Sequence, residues 1–287
     1  MNKKYILFFI IILIIICILF LFKNIKEQYQ TYYILPKVVW SYWDKDELPE
    51  NISLIVENNK KILNEWNYIL ITPKNINEYI LNEDILQSDI GPQAYSDWIR
   101  LYLLEKYGGV WMDITIILNK NFDDIYNKSI EINSELSGFN AVQLNTNKEY
   151  PVIESWFLMA PKNSEIIHLW KEEFEKAITM GFLNYKKEQI SDNINYQKIF
   201  GDNPKEIYLT IHGCLQVVLQ KRLNRKARLY YVDAKDSMFK IHWDCGWKQD
   251  CLIEKINDKS YSKKIPYIKL RGSDREGLDL TKYFKDN

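Results

Sequence analysis

Cysteine is scarce, with four in 287 residues, and none is spaced for a metal site. Cys245 and Cys251 have neither a second close cysteine pair nor a spaced histidine pair, which excludes the usual zinc patterns. The two suit a disulfide in an oxidising compartment, with Cys214 left free, and they equally suit reduced, buried thiols. An excess of one charge is also missing. Lys plus Arg and Asp plus Glu each number 38, so no overall basic field points to nucleic acid as a partner. The sequence lacks internal repeats and long flexible linkers as well, which leaves one sizeable core. Hydrophobic content of 47% and aromatic content of 14% is enough to build it.

One long apolar run is present. Tyr5 to Phe22 carries no charge and matches the ~20 residues a helix needs to cross a bilayer. It stays bulky to its end, Cys17-Ile18-Leu19-Phe20-Leu21-Phe22, without the small-residue cleavage site of a secretory signal, so it reads as an uncleaved signal-anchor. Lys3, Lys4 and the amino terminus, set against Lys23, Lys26 and Glu27, place the N-terminus in the cytosol in a single-pass, type II arrangement. The expected boundaries are a cytosolic tail at 1–4, the anchor at 5–22, a polar stem at 23–35 and one globular domain at 36–287. That domain would face a Golgi or endoplasmic-reticulum lumen in a eukaryote, or lie at a cell-envelope membrane in a bacterium. The sequons Asn51-Ile52-Ser53 and Asn127-Lys128-Ser129 are compatible with a lumen.

The most informative stretch runs from Ser96-Asp97-Trp98-Ile99-Arg100 through Tyr107-Gly108-Gly109 into Val110-Trp111-Met112-Asp113-Ile114-Thr115. Asp97 and Arg100 stand three apart on a helical pattern and are expected near the helix start, while the glycine pair ends the helix. The apolar run that follows reads as a buried strand with Trp111, Asp113 and Thr115 on one face. An aspartate in such surroundings needs a partner or a ligand. Two readings stand side by side: an Asp97–Arg100 helix pair with a structurally paired Asp113, or a ligand-binding cluster at a sheet end.

Around this stretch, strands are expected at Val38–Trp43, Tyr68–Ile71, Gly138–Leu144 and Ser155–Ala160. Helices are expected at Ile52–Trp66 and Asn75–Leu81 and after Ser164, with a polar loop over Tyr185–Asn203. The alternation predicts an α/β fold with a mainly parallel sheet and ligands at the strand ends.

The Asp97 to Asp113 segment resembles the core of the DXD-type sugar transferases of glycosyltransferase family 32, most closely their capsular-polysaccharide-synthesis branch. There, a serine-aspartate-x-x-arginine helix precedes a "YGG-aromatic-x-Asp" strand. Leu35-Pro36-Lys37-Val38-Val39-Trp40-Ser41-Tyr42-Trp43 is similar to the opening strand of the same families. The resemblance implies a GT-A-like, Rossmann-type fold flanked by helices, a nucleotide-diphosphate-sugar donor and a glycan or polysaccharide acceptor. It implies that Asp97 and Arg100 hold donor-sugar hydroxyls, that Asp113 holds ribose or sugar, and that Trp43 stacks on the base. A membrane-anchored protein that kept the fold and lost turnover, binding carbohydrate or acting as a scaffold, is the alternative.

One departure affects the metal. Where much of the family reads Asp-x-Asp, this chain has Asp113-Ile114-Thr115, and a threonine hydroxyl is a poor ligand for manganese or magnesium. A retained ion would need donor phosphates, Asp113 and a later group such as His242 or Asp244. Otherwise the cations Lys269 and Arg271, in a segment similar to the family's closing "KL" stretch, do its work. Trp40, Tyr42 and Trp43 are all aromatic, and the family position singles out Trp43 for base stacking. His168 reads as packing or surface.

Overall fold

The computed structural model describes residues 33–86, 90–191, 194, 199 and 207–284, together with Ile12 and Ile15. The chain divides into two units, residues 1–33 and 34–287. Apart from Ile12 and Ile15, both helical, the expected anchor at 5–22 lies outside the described residues. Among the described residues no helix is long and apolar enough to cross a membrane.

In chain order the second unit contains β1 (Val38–Tyr42), α1 (Glu50–Ile62), β2 (Asn67–Ile71), α2 (Ile76–Tyr79), α3 (Gly91–Tyr107), β3 (Gly109–Met112) and β4 (Ile116–Leu118). It continues with α4 (Asp123–Glu131), β5 (Leu136–Asn140), β6 (Ile153–Ala160), α5 (Glu165–Met180), α6 (Phe182–Ser191) and α7 (Thr210–Val217). The last part holds β7 (Leu229–Asp233), α8 (Lys240–Asp244), α9 (Gln249–Asn257), α10 (Lys259–Ser262), β8 (Tyr267–Lys269) and α11 (Thr281–Phe284). The main sheet runs β2-β1-β3-β6-β5-β7, and β4 pairs with β8 in a second, two-stranded sheet. Pairs β1/β2, β1/β3 and β5/β7 are parallel and only β6 runs against its neighbours, so the sheet is mainly parallel, as expected.

Alternation along the strands divides the apolar side chains between two faces. Trp40, Trp111, Leu158 and Ala160 pack with α3, α5 and α7 on one side. Val39, Val110, Met112, Phe157 and Met159 pack toward α4 and β4 on the other. Each fully buried Leu, Ile or Val contributes about 1.5–3 kcal/mol relative to exposure, so both layers are needed to hold the sheet. Because β1, β3 and β5 run in parallel sense and β6 runs against them, the C-terminal ends of the first three meet the N-terminal end of β6 at one edge. Ligands in open α/β sheets bind at that kind of edge.

Several expectations need correction. Helix α3 begins at Gly91, with proline in its first turn, so Asp97 and Arg100 lie well inside it rather than at its start. Residues 97–104 are all buried, so the helix has no polar stripe from which to place its beginning. Strand β3 stops at Met112: the Asp113 N–H donates to Trp156 O at 2.8 Å, and the Ile116 N–H turns back to Asp113 O at 3.0 Å. Asp113 and Thr115 therefore sit in a turn between two sheets, not along one strand face. Strand β5 ends at Asn140, followed by a turn in which the Leu144 N–H donates to Ala141 O. Part of the expected loop over Tyr185–Asn203 is helix α6, which buries Tyr185 and Gln189.

The glycine pair is required. Gly109 has φ of 98° and an added Cβ would lie 2.4 Å from Val38 Cγ1; at Gly108, φ 69°, it would lie 2.4 Å from the Lys162 nitrogen. This close approach lets the Trp40 indole donate to Gly108 O at 2.9 Å and sets β3 directly against β1.

Candidate functional site

A cleft of about 680 Å³ opens at the convergent strand ends. Trp43, Asp97, Arg100, Asp113, Thr115, Lys269 and Arg271 all line it, so seven of the nine expected site residues are brought together. Arg100 joins two carboxylates. Its Nη1 lies 2.8 Å from Asp97 Oδ1 and its Nη2 lies 3.3 Å from Asp113 Oδ1, and its guanidinium stands 5.0 Å from the Trp111 ring centre. The Trp111 indole also donates to Asp113 Oδ1, at 2.9 Å.

Asp113 Oδ2 meets a second cation, Lys269 Nζ, at 3.0 Å. Lys269 Nζ also donates to Thr115 Oγ1 at 2.6 Å and to Leu270 O at 3.1 Å. The two-stranded sheet makes this possible, since Ile116 is in register with Lys269 although 153 positions separate them in sequence. Burial pushes the Asp113 carboxyl up, but Lys269 and Arg100 outweigh it and hold it below the ordinary carboxylate range. Asp97 behaves oppositely: burial pushes it up to about 6, against the pull of Arg100 and His212 and with a push from Asp113.

Beyond Lys269, the 271–275 segment adds cations. Arg271 donates from its backbone N to Asp274 Oδ2 at 2.6 Å and from Nη2 to Asp274 Oδ1 at 2.8 Å, with its guanidinium 5.0 Å from the Trp247 ring centre. The Arg275 guanidinium stands 5.6 Å from the Trp43 ring centre, so it covers the aromatic residue expected to stack on a base.

The expected metal set does not assemble. His242 and Asp244 are not in the cleft wall. His242 is fully buried and its Nε2 lies 2.8 Å from Asp274 Oδ2, so it braces the Arg271 turn from behind. Asp244 accepts from Lys240 and from Tyr261 on the surface. Both side chains already have partners of their own. Among the described residues no group of three His, Cys, Asp or Glu is placed to hold a metal ion. The donor set therefore does not fit a divalent cation: one carboxylate already met by two cations, and a hydroxyl that accepts from an ammonium. Cys245 and Cys251 form a disulfide, and Cys214 is free and buried. His168 lies on the surface beside Glu105 and Glu172, one of the two places the sequence reading gave it.

Arg275, the last cation of the Lys269–Arg275 cluster that the sequence offers to a diphosphate, lines the cleft too, while Glu154 and His212 also line it and were not anticipated. Glu154 leads β6 from the same edge as Asp113, and His212 lies on α7 with Nε2 at 3.6 Å from Glu154 Oε2. The available signal was one ionisable residue in an otherwise uncharged, largely apolar segment, Glu154 within Val152–Leu158 and His212 within Leu209–Leu215. Among the described residues, nine buried side-chain polar atoms have no hydrogen-bond partner. Six of them belong to cleft residues: Trp43 Nε1, Arg100 Nε, Trp156 Nε1, both His212 nitrogens and Arg275 Nε. Those atoms are left available to a polar ligand or to water.

Comparison with known proteins gives consistent matches. The family of capsular polysaccharide synthesis proteins matches residues 18–264. Glycosyltransferase afumC of Aspergillus fumigatus is 26% identical over 152 residues, 47% of this chain and 39% of that protein. Inositol phosphoceramide mannosyltransferase 3 of Schizosaccharomyces pombe is 25% identical over 96 residues, 32% of this chain and 27% of that protein. The matched segments thus span well under half the length of these curated relatives. Among solved structures, a glycosyltransferase involved in glycosylation of the major capsid of PBCV-1 aligns over 83% of this chain and 95% of its own, at 10% identity and TM-score 0.43. The galactosyltransferase LgtC, in complex with donor and acceptor sugar analogs, aligns over 82% and 87%, at 11% identity and TM-score 0.41. The chain belongs to the capsular polysaccharide synthesis protein family, and its likeness to named glycosyltransferases bears out the family expected from its sequence.

Proposed function

We propose that the chain is a GT-A-like glycosyltransferase that moves a sugar from a nucleoside-diphosphate donor to a hydroxyl of a glycan or polysaccharide. The carrying observation is the cleft wall itself: buried polar atoms without a protein partner and an Asp97–Arg100–Asp113 cluster, joined through the Asp113–Lys269 pair to a segment that also brings Arg271 and Arg275 into the wall. Carboxylates suit sugar hydroxyls, which donate to them, and cations suit a diphosphate. In transfer, the bond from the anomeric carbon to the diphosphate breaks, and the electron pair leaves on the diphosphate. The acceptor oxygen forms the new bond and gives up its proton. Positive charge grows on the sugar and negative charge on the leaving group, and the cleft supplies both complements in fixed positions. Glu154, whose carboxylate faces His212 at 3.6 Å, is the proton acceptor in this reading.

In this reading Trp43, which lines the cleft, stacks on the base, and Arg275, with its guanidinium 5.6 Å from the Trp43 ring centre, adds positive charge beside it. The apolar run at 5–22 and the preceding lysines support a membrane anchor, and the Cys245–Cys251 disulfide supports an oxidising compartment for the globular unit. A carbohydrate-binding protein without turnover draws support from Thr115 alone. A screen of nucleoside-diphosphate sugars against the full chain, read by thermal shift and by donor hydrolysis, tests the proposal. Binding with hydrolysis that Glu154→Gln suppresses is the expected result. Sugar binding with no turnover of any donor would favour the binding protein.

A further inference from the structure

We infer that the Lys269 ammonium takes the place of the divalent metal ion, with Asp113 and Thr115 as its ligands, so that the site binds its diphosphate without metal. The inference rests on the nucleoside-diphosphate reading given above. Lys269 Nζ sits among three oxygens, Thr115 Oγ1 at 2.6 Å, Leu270 O at 3.1 Å and Asp113 Oδ2 at 3.0 Å. These are the carboxylate and the hydroxyl at the two positions that the Asp-x-Asp pattern would give to a metal. An ammonium has three N–H donors and no acceptor, so this oxygen set satisfies it in the donor-free chain, and it acts on a diphosphate through its charge or by exchanging its longest bond, to Leu270 O, for a phosphate oxygen. The same set is poor for manganese or magnesium, which favour several anionic oxygens.

Charge balance explains why Thr115 and Lys269 go together. Two carboxylates and a divalent ion sum to zero; so do one carboxylate, one hydroxyl and one ammonium. A second aspartate at position 115 would leave the Lys269 cluster with a net negative charge, and a metal beside the present Lys269 would face a buried cation at contact distance. Thr115 is therefore not a lost ligand. It is the neutral acceptor that a lysine requires where a metal requires a carboxylate.

The position of Lys269 supports a role beyond pairing. It is only 8% exposed, yet it belongs to the cleft wall and leads directly into Arg271 and Arg275, the cations on the diphosphate side. The β4/β8 ladder fixes its backbone, and the Lys269 N–H donates to Met238 O at 3.0 Å, so the ammonium is held in place before any donor arrives. Preorganised positive charge of this kind stabilises a leaving diphosphate without the reorganisation a mobile ion entails.

The test uses the full chain as wild type, Lys269→Ala and the double variant Thr115→Asp/Lys269→Ala. Manganese alone is titrated with the free-ion electron-spin-resonance signal as readout. Wild type should leave the signal unchanged, and the double variant should remove it, with affinity raised at least about tenfold over wild type. Uridine and guanosine diphosphates are then titrated calorimetrically in chelator and in manganese. Whichever nucleotide binds should bind wild type equally in both, and Lys269→Ala should weaken it at least about tenfold in chelator. Tight manganese binding by donor-free wild type, or diphosphate binding that chelator abolishes, overturns the inference and leaves the donor reading standing. Failure of both nucleotides to bind under either condition overturns the donor reading and this inference with it. The decisive wild-type measurements do not depend on any variant folding.

Discussion

The Trp111 indole donates to Asp113 Oδ1 at 2.9 Å, across the single residue at which strand β3 ends. This contact, with Arg100 on the same oxygen and Lys269 on the other, fixes the carboxylate from three sides. Asp113→Asn keeps the shape but presents an amide N–H₂ to one of two cations, so one of them loses its partner. Donor turnover is expected to fall by roughly 100-fold or more, the scale of losing a preorganised charged contact, while a cooperative unfolding transition remains. Trp111→Phe removes one hydrogen bond and should cost far less. Steady-state kinetics and thermal unfolding of both variants check this, and near-normal turnover in a folded Asp113→Asn would remove Asp113 from the chemistry.

Asp97 gives the cleft a pH dependence. Its carboxyl is pushed from 3.8 up to about 6, burial being the main cause, so the folded chain holds that proton more tightly than the unfolded chain does. The sign follows: its contribution to stability is greatest below pH ~4 and declines as pH rises toward ~6. Activity should run the other way, because only the carboxylate can clamp Arg100 and accept from a sugar hydroxyl. We expect kcat/KM to rise through pH ~6 and Asp97→Asn to abolish both this limb and the stability slope in the same window. Asp113, Glu154, Arg100, His212 and Tyr208 face the same space, so the comparison with Asp97→Asn is what assigns the limb. An unchanged profile in that variant would exclude Asp97.

Much of this arrangement was legible in the sequence, for identifiable reasons. Period-2 and period-3.6 patterns marked β1, β3 and α3, and Asp97, Arg100 and Asp113 stood out as polar groups in apolar segments. The turn at Asp113–Ile116 was not legible, because Ile114, Ile116 and Ile117 continue the apolar run, although Ile114 lies in the turn and Ile116 and Ile117 belong to the second sheet. Lys269 was visible only as one of a cluster of cations; its bond to Thr115 depends on pairing β4 with β8 across most of the chain. His242 and Asp244 were misassigned for a related reason. A buried imidazole and a surface carboxylate two residues apart look like a ligand pair until the helix turns them to different partners. Glu154 and His212 each lacked a local partner, and only the fold brings them to 3.6 Å.

Gly109 links the fold to the site. With φ of 98° and Val38 Cγ1 at 2.4 Å and Val38 O at 2.6 Å from an added Cβ, Gly109→Ala meets both a disfavoured backbone conformation and a clash with backbone. The expected destabilisation is about 3 kcal/mol or more, from strain and overpacking together. Because β3 leads into the turn that holds Asp113, only four residues further on, any surviving fold should also lose activity. Chemical denaturation checks the magnitude, and a loss below ~1 kcal/mol would show that β1 and β3 separate more readily than their register implies.

The last prediction concerns the turn that carries Arg271. Asp274 is fully buried, accepts from the Arg271 backbone and guanidinium, and faces His242 Nε2 at 2.8 Å. Burial pushes the Asp274 carboxyl up, but the bonds from His242 and Arg271 outweigh it and hold the group well below the ordinary carboxylate range. Burial also lowers the His242 imidazole, and a ring nitrogen 2.8 Å from a carboxylate oxygen is the donor of that bond. A carboxylate with a depressed value adds stability that is fully present above its unfolded pKa and is lost only as pH falls below it, so the contribution is intact at neutral pH. Asp274→Asn removes the charge from a buried pair, for which the expected cost is roughly 3 kcal/mol, and it frees Arg271. The mark of a positioning residue is a split in the kinetics: donor KM should rise about tenfold while kcat changes little, since Asp274 holds a cation and does not itself line the cleft. His242→Phe, which keeps a ring against Phe239 and Trp247, should show the same split more weakly. A large fall in kcat at unchanged KM would mean that His242 and Asp274 act on the reaction itself, and their assignment as a brace behind Arg271 would fail.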